Sequence, residues 1–222
     1  MAIMAKMPMA MLGRCNLIYV PRSHSHLAVL LPGDSVPMRI LLTGVSCVGK
    51  TTIGRLLARK LGYPFFDFDQ EIENHFGAPI ERLQARFLTP YSYRKETAPV
   101  LKRILTENPE SVIALPPSGL RDAYSRVIKK ADCLTIALED TPDNILRRIV
   151  FYDADSRRLD KTLTDTEKTL YRKEIAADIA FFKKSYARAH LRAPIAGLGA
   201  DASANLLEEL LRPFFPIRPS LP

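Results

Sequence analysis

Residues 39–54 read Arg-Ile-Leu-Leu-Thr-Gly-Val-Ser-Cys-Val-Gly-Lys-Thr-Thr-Ile-Gly. The apolar run Ile40 to Thr43 has the length and composition of a buried strand. Thr51 to Leu61 carries helical spacing and stops at Gly62, which suits the left-handed C′ position. Between them, Gly44-Val45-Ser46-Cys47-Val48-Gly49-Lys50-Thr51 spells the glycine-bounded loop that wraps phosphate groups. A backbone that closes around phosphate oxygens needs positive φ and close approach of its N–H groups, and Gly44 and Gly49 supply both. Lys50 is placed to reach the β- and γ-phosphates, and the Thr51 hydroxyl to ligate Mg²⁺, at the positive end of the following helix. Gly44 to Thr51, with Thr52 beyond them, are therefore the expected binding residues for ATP. Cys47 is expected to be a small filler at the loop tip; a redox role is the alternative, since a helix N-terminus lowers a thiol pKa.

Outward from this loop, apolar runs alternate with helical stretches, the pattern of a parallel sheet flanked by helices. Phe65-Phe66 reads as a second strand ending at Asp67, Val112 to Leu115 as a third, Cys133 to Leu138 as a fourth, and Ala193 to Ala196 as a weak fifth. Thr141-Pro142-Asp143 is a helix start, with the helix running toward Val150. Thr164 to Glu167 forms a capping box for a longer helix whose Tyr171, Ile175, Ile179, Phe182 and Tyr186 share one face. Ser203 to Leu211 reads as a final helix stopped by Pro213.

The 222 residues suit one working domain, from Met38 to about residue 212. Residues 1–37 hold five of the six methionines and no extendable period, and are expected to be a disordered extension or a misassigned start. A secretory signal is the competing reading of Lys6 and the apolar residues after it, but Arg14 interrupts that stretch. Residues 213–222, with Pro213, Pro216, Pro219 and Pro222, are expected to form an extended, mobile tail. Three widely spaced cysteines, Cys15, Cys47 and Cys133, fit neither a disulfide framework nor a zinc site, so a reducing, cytoplasmic compartment is expected. The net charge is +8; Lys6, Arg14 and Arg22 against Asp34 account for two of these, so the basic character belongs to the domain. That charge suits a phosphate-rich ligand, but no nucleic-acid motif or aromatic-basic interleaving accompanies it, and no nucleic-acid partner is expected. No apolar run approaches the length needed to span a bilayer, and neither a membrane partner nor an oligomer is expected.

The stretch from Arg39 to Glu73 resembles the shikimate kinase family. The resemblance rests on two blocks, Gly49-Lys50-Thr51-Thr52-Ile53-Gly54-Arg55-Leu56-Leu57-Ala58 and Phe66-Asp67-Phe68-Asp69-Gln70-Glu71-Ile72-Glu73. It implies a three-layer α/β P-loop kinase fold with a mobile lid, using ATP and Mg²⁺ to phosphorylate a hydroxyl of shikimate or a related polyol acid. Under it, Asp67 holds Mg²⁺ with Thr51 or orients the attacking hydroxyl, and Asp69 accepts hydrogen bonds from acceptor hydroxyls. Both acids are also placed to cap the helix that follows. Arg94, after Tyr93, corresponds to the family's clamp for the acceptor carboxylate, where a guanidinium fork gives geometry as well as charge. The family's acid three residues later is Thr97 here, and Pro99 is expected to interrupt the helix.

After the third strand the family carries three glycines where this chain has Pro116-Pro117-Ser118-Gly119. Proline removes N–H donors, so Ser118 and Gly119 are the remaining candidates to touch the acceptor. Residues 151–164 correspond to the lid, with Arg157 and Arg158 as candidates to stabilise the transferring phosphate and Arg147 and Arg148 as alternatives. The same departures leave a second class of reading open, an ATP-binding regulatory protein of this fold that has lost catalysis.

Overall fold

A computed structural model describes residues 38–153 and 157–215; the expectations for residues 1–37 and for the tail from residue 216 onward lie outside these. The strands are β1 (Arg39–Thr43), β2 (Phe65–Asp67), β3 (Ser111–Ala114), β4 (Cys133–Glu139), β5 (Phe151–Tyr152), β6 (Arg158–Leu159) and β7 (Leu191–Pro194). The helices are α1 (Lys50–Leu61), α2 (Phe68–Phe76), α3 (Ile80–Ala85), α4 (Pro90–Glu107), α5 (Asp122–Ile128), α6 (Pro142–Leu146), α7 (Asp165–Tyr186) and α8 (Ala200–Leu211). Five strands form one parallel sheet in the order β2-β3-β1-β4-β7, and β5 and β6 form a separate antiparallel hairpin. This is the three-layer α/β architecture that the alternating pattern implies.

β1 is central because both of its faces are apolar. Ile40 and Leu42 point into a cluster with Leu57, Ile136, Ala204 and Leu207, while Leu41 points the other way, toward Phe68, Leu101, Ile113 and Tyr124. A strand buried on both sides needs continuous hydrophobicity, which a solvent-facing antiparallel strand does not. Helix α1 lies close over β2, since a Cβ on Gly54 would stand 2.6 Å from the Phe65 ring and 3.1 Å from Leu42 Cδ1. On α7, Ile175, Ile179 and Phe182 pack on the first cluster and Tyr186 is buried, as its face predicts.

Several features differ from the sequence reading, among them the start of α8 at Ala200, three residues before Ser203, and the span of β3, one residue earlier than Val112 to Leu115. Pro99 does not interrupt its helix: α4 runs unbroken from the Thr89/Ser92 capping box to Glu107. Proline there removes one backbone donor and disfavours the preceding turn by about 3 kcal/mol. Burial of Tyr93, Ala98, Val100, Leu101, Ile104 and Leu105 on the same helix offsets that cost. Helix α6 ends at Leu146 and not near Val150, because the β-branched pair Ile149-Val150 turns toward β5. Strand β7 begins two residues early, at Leu191, where the neighbouring His190 N–H donates to Thr135 Oγ1 (3.0 Å) and the Thr135 N–H to His190 Nδ1 (3.0 Å). Pro213 does stop α8, but Arg212–Phe214 continue as a 3₁₀ turn, and Phe214 and Phe215 pack against the core cluster.

Gly54→Ala tests the contact between α1 and β2. The added methyl group must displace Phe65 or Leu42, so the variant is expected to lose about 1 to 3 kcal/mol of stability in urea unfolding. Phe65→Leu combined with it should restore part of that loss.

Candidate active site

In a parallel sheet the loops at the carboxyl ends of the strands converge on one edge, and the site forms where they meet. The chain leaves β1 through Gly44 (φ 147°), turns at Cys47 (φ 57°) and enters α1 through Gly49 (φ 110°). A Cβ at Gly44 would stand 2.9 Å from both the Leu138 carbonyl oxygen and Val48 Cγ1, so the loop closes only with glycine there. Val45 and Val48 are buried beneath the loop and Ser46 is exposed above it. Lys50 Nζ donates to the carbonyls of Gly44 (3.0 Å) and Val45 (2.9 Å), folding back over the loop. Thr52, one residue beyond Thr51, is exposed in the first turn of α1. Cys47 is a half-buried free thiol at the mouth of an apolar recess lined by Phe151, Tyr171 and Ile175.

Asp67 ends β2 on the neighbouring side and is both cap and site residue. Its Oδ1 accepts from the Asp69 N–H (3.3 Å) as N-cap of α2, while Oδ2 accepts from Thr51 Oγ1 (2.6 Å). Asp69, in the first turn of α2, faces Asp67 and Lys50. Burial, and then the neighbouring Asp67 carboxylate, push Asp69 up to about 6 against the pull of Lys50. Burial likewise brings Lys50 down to about 8, opposed by Asp69, Cys47 and Asp67. The three groups therefore hold one another in place in a poorly solvated pocket.

Arg94 is buried on α4, and its guanidinium is not isolated. Nε (2.9 Å) and Nη2 (2.5 Å) both donate to Asp122 Oδ2 at the start of α5. Thr97, one turn further along α4, bonds the Tyr124 hydroxyl (2.5 Å) and the Tyr93 carbonyl (2.9 Å). The Tyr124 hydroxyl feels the charge of both recognition candidates, Asp69 and Arg94. Burial raises its hydroxyl pKa well above the usual value; the Asp69 carboxylate adds to this, and Thr97 and Arg94 oppose it.

The loop after β3 is tightly held. The Gly119 N–H donates to the Pro116 carbonyl (2.8 Å) and the Arg121 N–H to that of Ser118 (3.0 Å). From the end of α7, Tyr186 Oη donates to the Pro117 carbonyl (3.1 Å) and Arg188 to that of Leu120. Gly119 is buried where a Cβ would meet Leu115 Cβ at 2.5 Å, so it packs beneath the loop, while Ser118 is half-exposed. On the far side, Arg157 and Arg158 stand exposed on the β5–β6 hairpin. Arg148 is paired with Asp140 and Arg147 with Asn144. Asn144, Arg147, Arg148, Gly197, Leu198 and Gly199 border a recess of about 280 Å³ at the carboxyl ends of β4 and β7.

The structure thus brings Lys50, Thr51, Asp67 and Asp69 together and couples both Arg94 and Asp69 to the Tyr124 hydroxyl; it leaves the hairpin arginines outside this group. Two features escape the sequence reading. The recess beside Gly197 depends on two segments about 50 residues apart, which no local pattern connects. Asp122 left one indirect signal: Arg94 lacks an acid three residues on, and a buried guanidinium needs a carboxylate from somewhere.

A family model described as shikimate kinase matches residues 46–192. The chain belongs to the shikimate kinase family. A shikimate kinase of Salinibacter ruber is 33% identical over 160 residues, covering 69% of this chain and 75% of that protein. One from Zymomonas mobilis is 33% identical over 53% of this chain and 66% of its own length, and one from Chlorobium luteolum is 35% identical over 50% of this chain and 54% of its own. Among solved structures, the fold is shared with shikimate kinases from Bacteroides thetaiotaomicron (TM-score 0.64, 23% identity, 81% of this chain and 99% of that one) and from Acinetobacter baumannii in complex with shikimate (TM-score 0.63, 23% identity, 80% and 94%). Family members use ATP, which agrees with the loop from Gly44 to Thr51.

Asp69 carries a folded-state pKa of about 6, above the ordinary carboxylate value. A raised carboxylate pKa costs stability once the unfolded chain ionises, so that cost grows as pH rises from about 4 and is complete above 6. Asp69→Asn is therefore expected to melt several degrees higher than the parent at pH 7, with the gain vanishing near pH 4. Melting curves at the two pH values check this.

Proposed function

We propose that the protein transfers the γ-phosphoryl group of ATP to a ring hydroxyl of shikimate or a closely related polyol acid. The observation that carries this reading is the single cluster of Lys50, Thr51, Asp67 and Asp69 at the carboxyl ends of β1 and β2. The sheet order supports the division of the site. Phosphates lie on the loop after central β1. Asp69, Arg94 and the loop after β3 lie to one side, and the recess beside Gly197 at β4 and β7 to the other. A nucleotide with its phosphates on the loop has its nucleoside in that recess, since the opposite side is where an acceptor must stand.

Phosphoryl transfer asks the protein for positioning and charge stabilisation more than for covalent chemistry. The backbone N–H groups of Val45 to Thr51 hold the phosphates, with Gly44 and Gly49 giving them access. On binding, Lys50 exchanges two loop carbonyls for phosphate oxygens, a stronger partner for an ammonium. The Thr51 hydroxyl and Asp67 carboxylate, 2.6 Å apart, are hard oxygen donors of the kind Mg²⁺ takes together with phosphate oxygens and water. When bound, that ion neutralises charge on the phosphates. Asp69 accepts from acceptor hydroxyls, Arg94 takes the acceptor carboxylate, and Ser118 offers a hydroxyl from the loop after β3. Arg157 and Arg158 stand outside this cluster, and to contact the transferring group the hairpin has to close over the phosphate loop.

The direct test is a coupled ADP-release assay with shikimate and a panel of polyols, sugar acids and nucleoside monophosphates. Shikimate turnover is expected, and Lys50→Met should reduce it on the order of 100-fold or more while the variant still unfolds cooperatively. No turnover with any hydroxyl acceptor would move the reading to an ATP-binding regulatory protein.

The pH dependence follows from the two shifted groups. Asp69 accepts hydroxyl hydrogen bonds fully only when ionised, so kcat/KM for the acceptor should fall as pH drops through about 6. Lys50 attracts phosphate only when protonated, so kcat/KM for ATP should fall as pH rises through about 8. Initial rates from pH 5 to 9 separate the two limbs.

A further inference from the structure

Asp122 has no part in the site as read from sequence, yet it holds the best-defined ion pair there. Its single oxygen Oδ2 takes both Arg94 Nε and Nη2, so it grips the guanidinium along its side edge. A guanidinium has five donor hydrogens in a planar fork. Side-edge pairing uses Nε–H and one hydrogen of Nη2, leaving the other Nη2 hydrogen and both on Nη1. The remaining Nη2 hydrogen and the nearer Nη1 hydrogen form the end edge, which is itself a bidentate fork of the width of a carboxylate.

The acid is held as firmly as the arginine. Asp122 sits at φ 47°, a left-handed backbone that aspartate tolerates better than most residues. The loop that delivers it is braced from the end of α7 by Tyr186 and Arg188, and the Arg121 guanidinium lies 4.9 Å from the Phe181 ring centre. Arg94 has a side-chain exposure of 10% and Asp122 of 32%, so the pair is covered on the arginine's side and open on the acid's.

We propose that Asp122 is a positioning residue for acceptor recognition: by holding the side edge of Arg94, it turns the end edge toward the carboxylate of the acceptor that Asp69 engages through its hydroxyls. The inference rests on the acceptor reading given above for Asp69 and Arg94. It also gives the loop after β3 a function despite its prolines. Pro116 and Pro117 offer no N–H groups, so beside the Ser118 hydroxyl this loop acts on the acceptor by delivering Asp122, at the start of α5, to Arg94.

The test compares shikimate with its methyl ester, which keeps the hydroxyls and loses the negative charge, in the parent and in Asp122→Asn. Binding is measured by titration calorimetry in the presence of ADP, and KM by the coupled assay. Asp122→Asn is expected to weaken shikimate binding about 10-fold and raise its KM similarly, while leaving ester binding and the KM for ATP unmoved. Melting curves establish that the variant is folded; if it is not, Asp122→Ser, which keeps a short acceptor side chain, takes its place with the same expectation. Unchanged or tighter shikimate binding would overturn the proposal, tighter binding marking Asp122 as a competitor for Arg94. An equal loss with shikimate and its ester would also overturn it, as would failure of the parent to bind shikimate at all. Shikimate binding that depends on Asp122 without any phosphorylation would support the proposal and sink the transfer reading instead.

Discussion

The left-handed exit of the chain from the central strand is the constraint on which the rest of the site depends. At Gly44 the backbone turns within 2.9 Å of where a side chain would strike Leu138 and Val48, two residues that belong to β4 and to the loop itself. Because that turn is tight, α1 starts directly over the carboxyl end of β1, and Lys50 and Thr51 occupy its first turn. Because α1 then lies flat enough on β2 for Gly54 to touch Phe65, Thr51 reaches Asp67 at 2.6 Å. The phosphate loop, the helix and the acid on the adjacent strand are thus one geometric unit.

This arrangement concentrates charge where solvation is poor. Asp67, Asp69 and Lys50 share one pocket, and the upward displacement of Asp69 with the downward displacement of Lys50 are two signs of the same burial. Such a cluster is less favourable in the empty protein than uncharged side chains would be. Under the function proposed above, a polyphosphate answers the lysine and acceptor hydroxyl groups answer the Asp69 carboxylate. Fixed charges that need not reorganise are what phosphoryl transfer requires of a protein.

The recognition side of the site shows how one contact can be replaced by another of different origin. Thr97, standing where related kinases carry an acid, turns to Tyr124, and Arg94 finds its carboxylate 28 residues away on α5. The two prolines after β3 remove donors, but they also stiffen the segment that presents Asp122, and α7 braces it further. A buried guanidinium requires a partner but does not specify from which element it comes.

How much of this was legible in the sequence depends on the range of each interaction. The strand, loop and helix from Arg39 to Leu61 were legible because apolar period, glycine placement and the Lys-Thr pair are local signals that agree with one another. The Phe66-to-Glu73 block fixed Asp67 and Asp69 for the same reason. Local signals misled at Pro99, where proline argues for a break and the buried face of α4 overrides it. They were silent at Asp122, whose importance lies in a bond to a residue on another helix, and at the Asn144-to-Gly199 recess, which exists only when α6 and the loop after β7 stand side by side. The sequence by itself determined the parallel α/β class and the strand, loop and helix around Gly44 to Thr51, since each is written in residues close along the chain. The orientation of the acceptor arginine was decided only by tertiary structure, because an ion pair between distant segments depends on distance in space and leaves no period in the sequence.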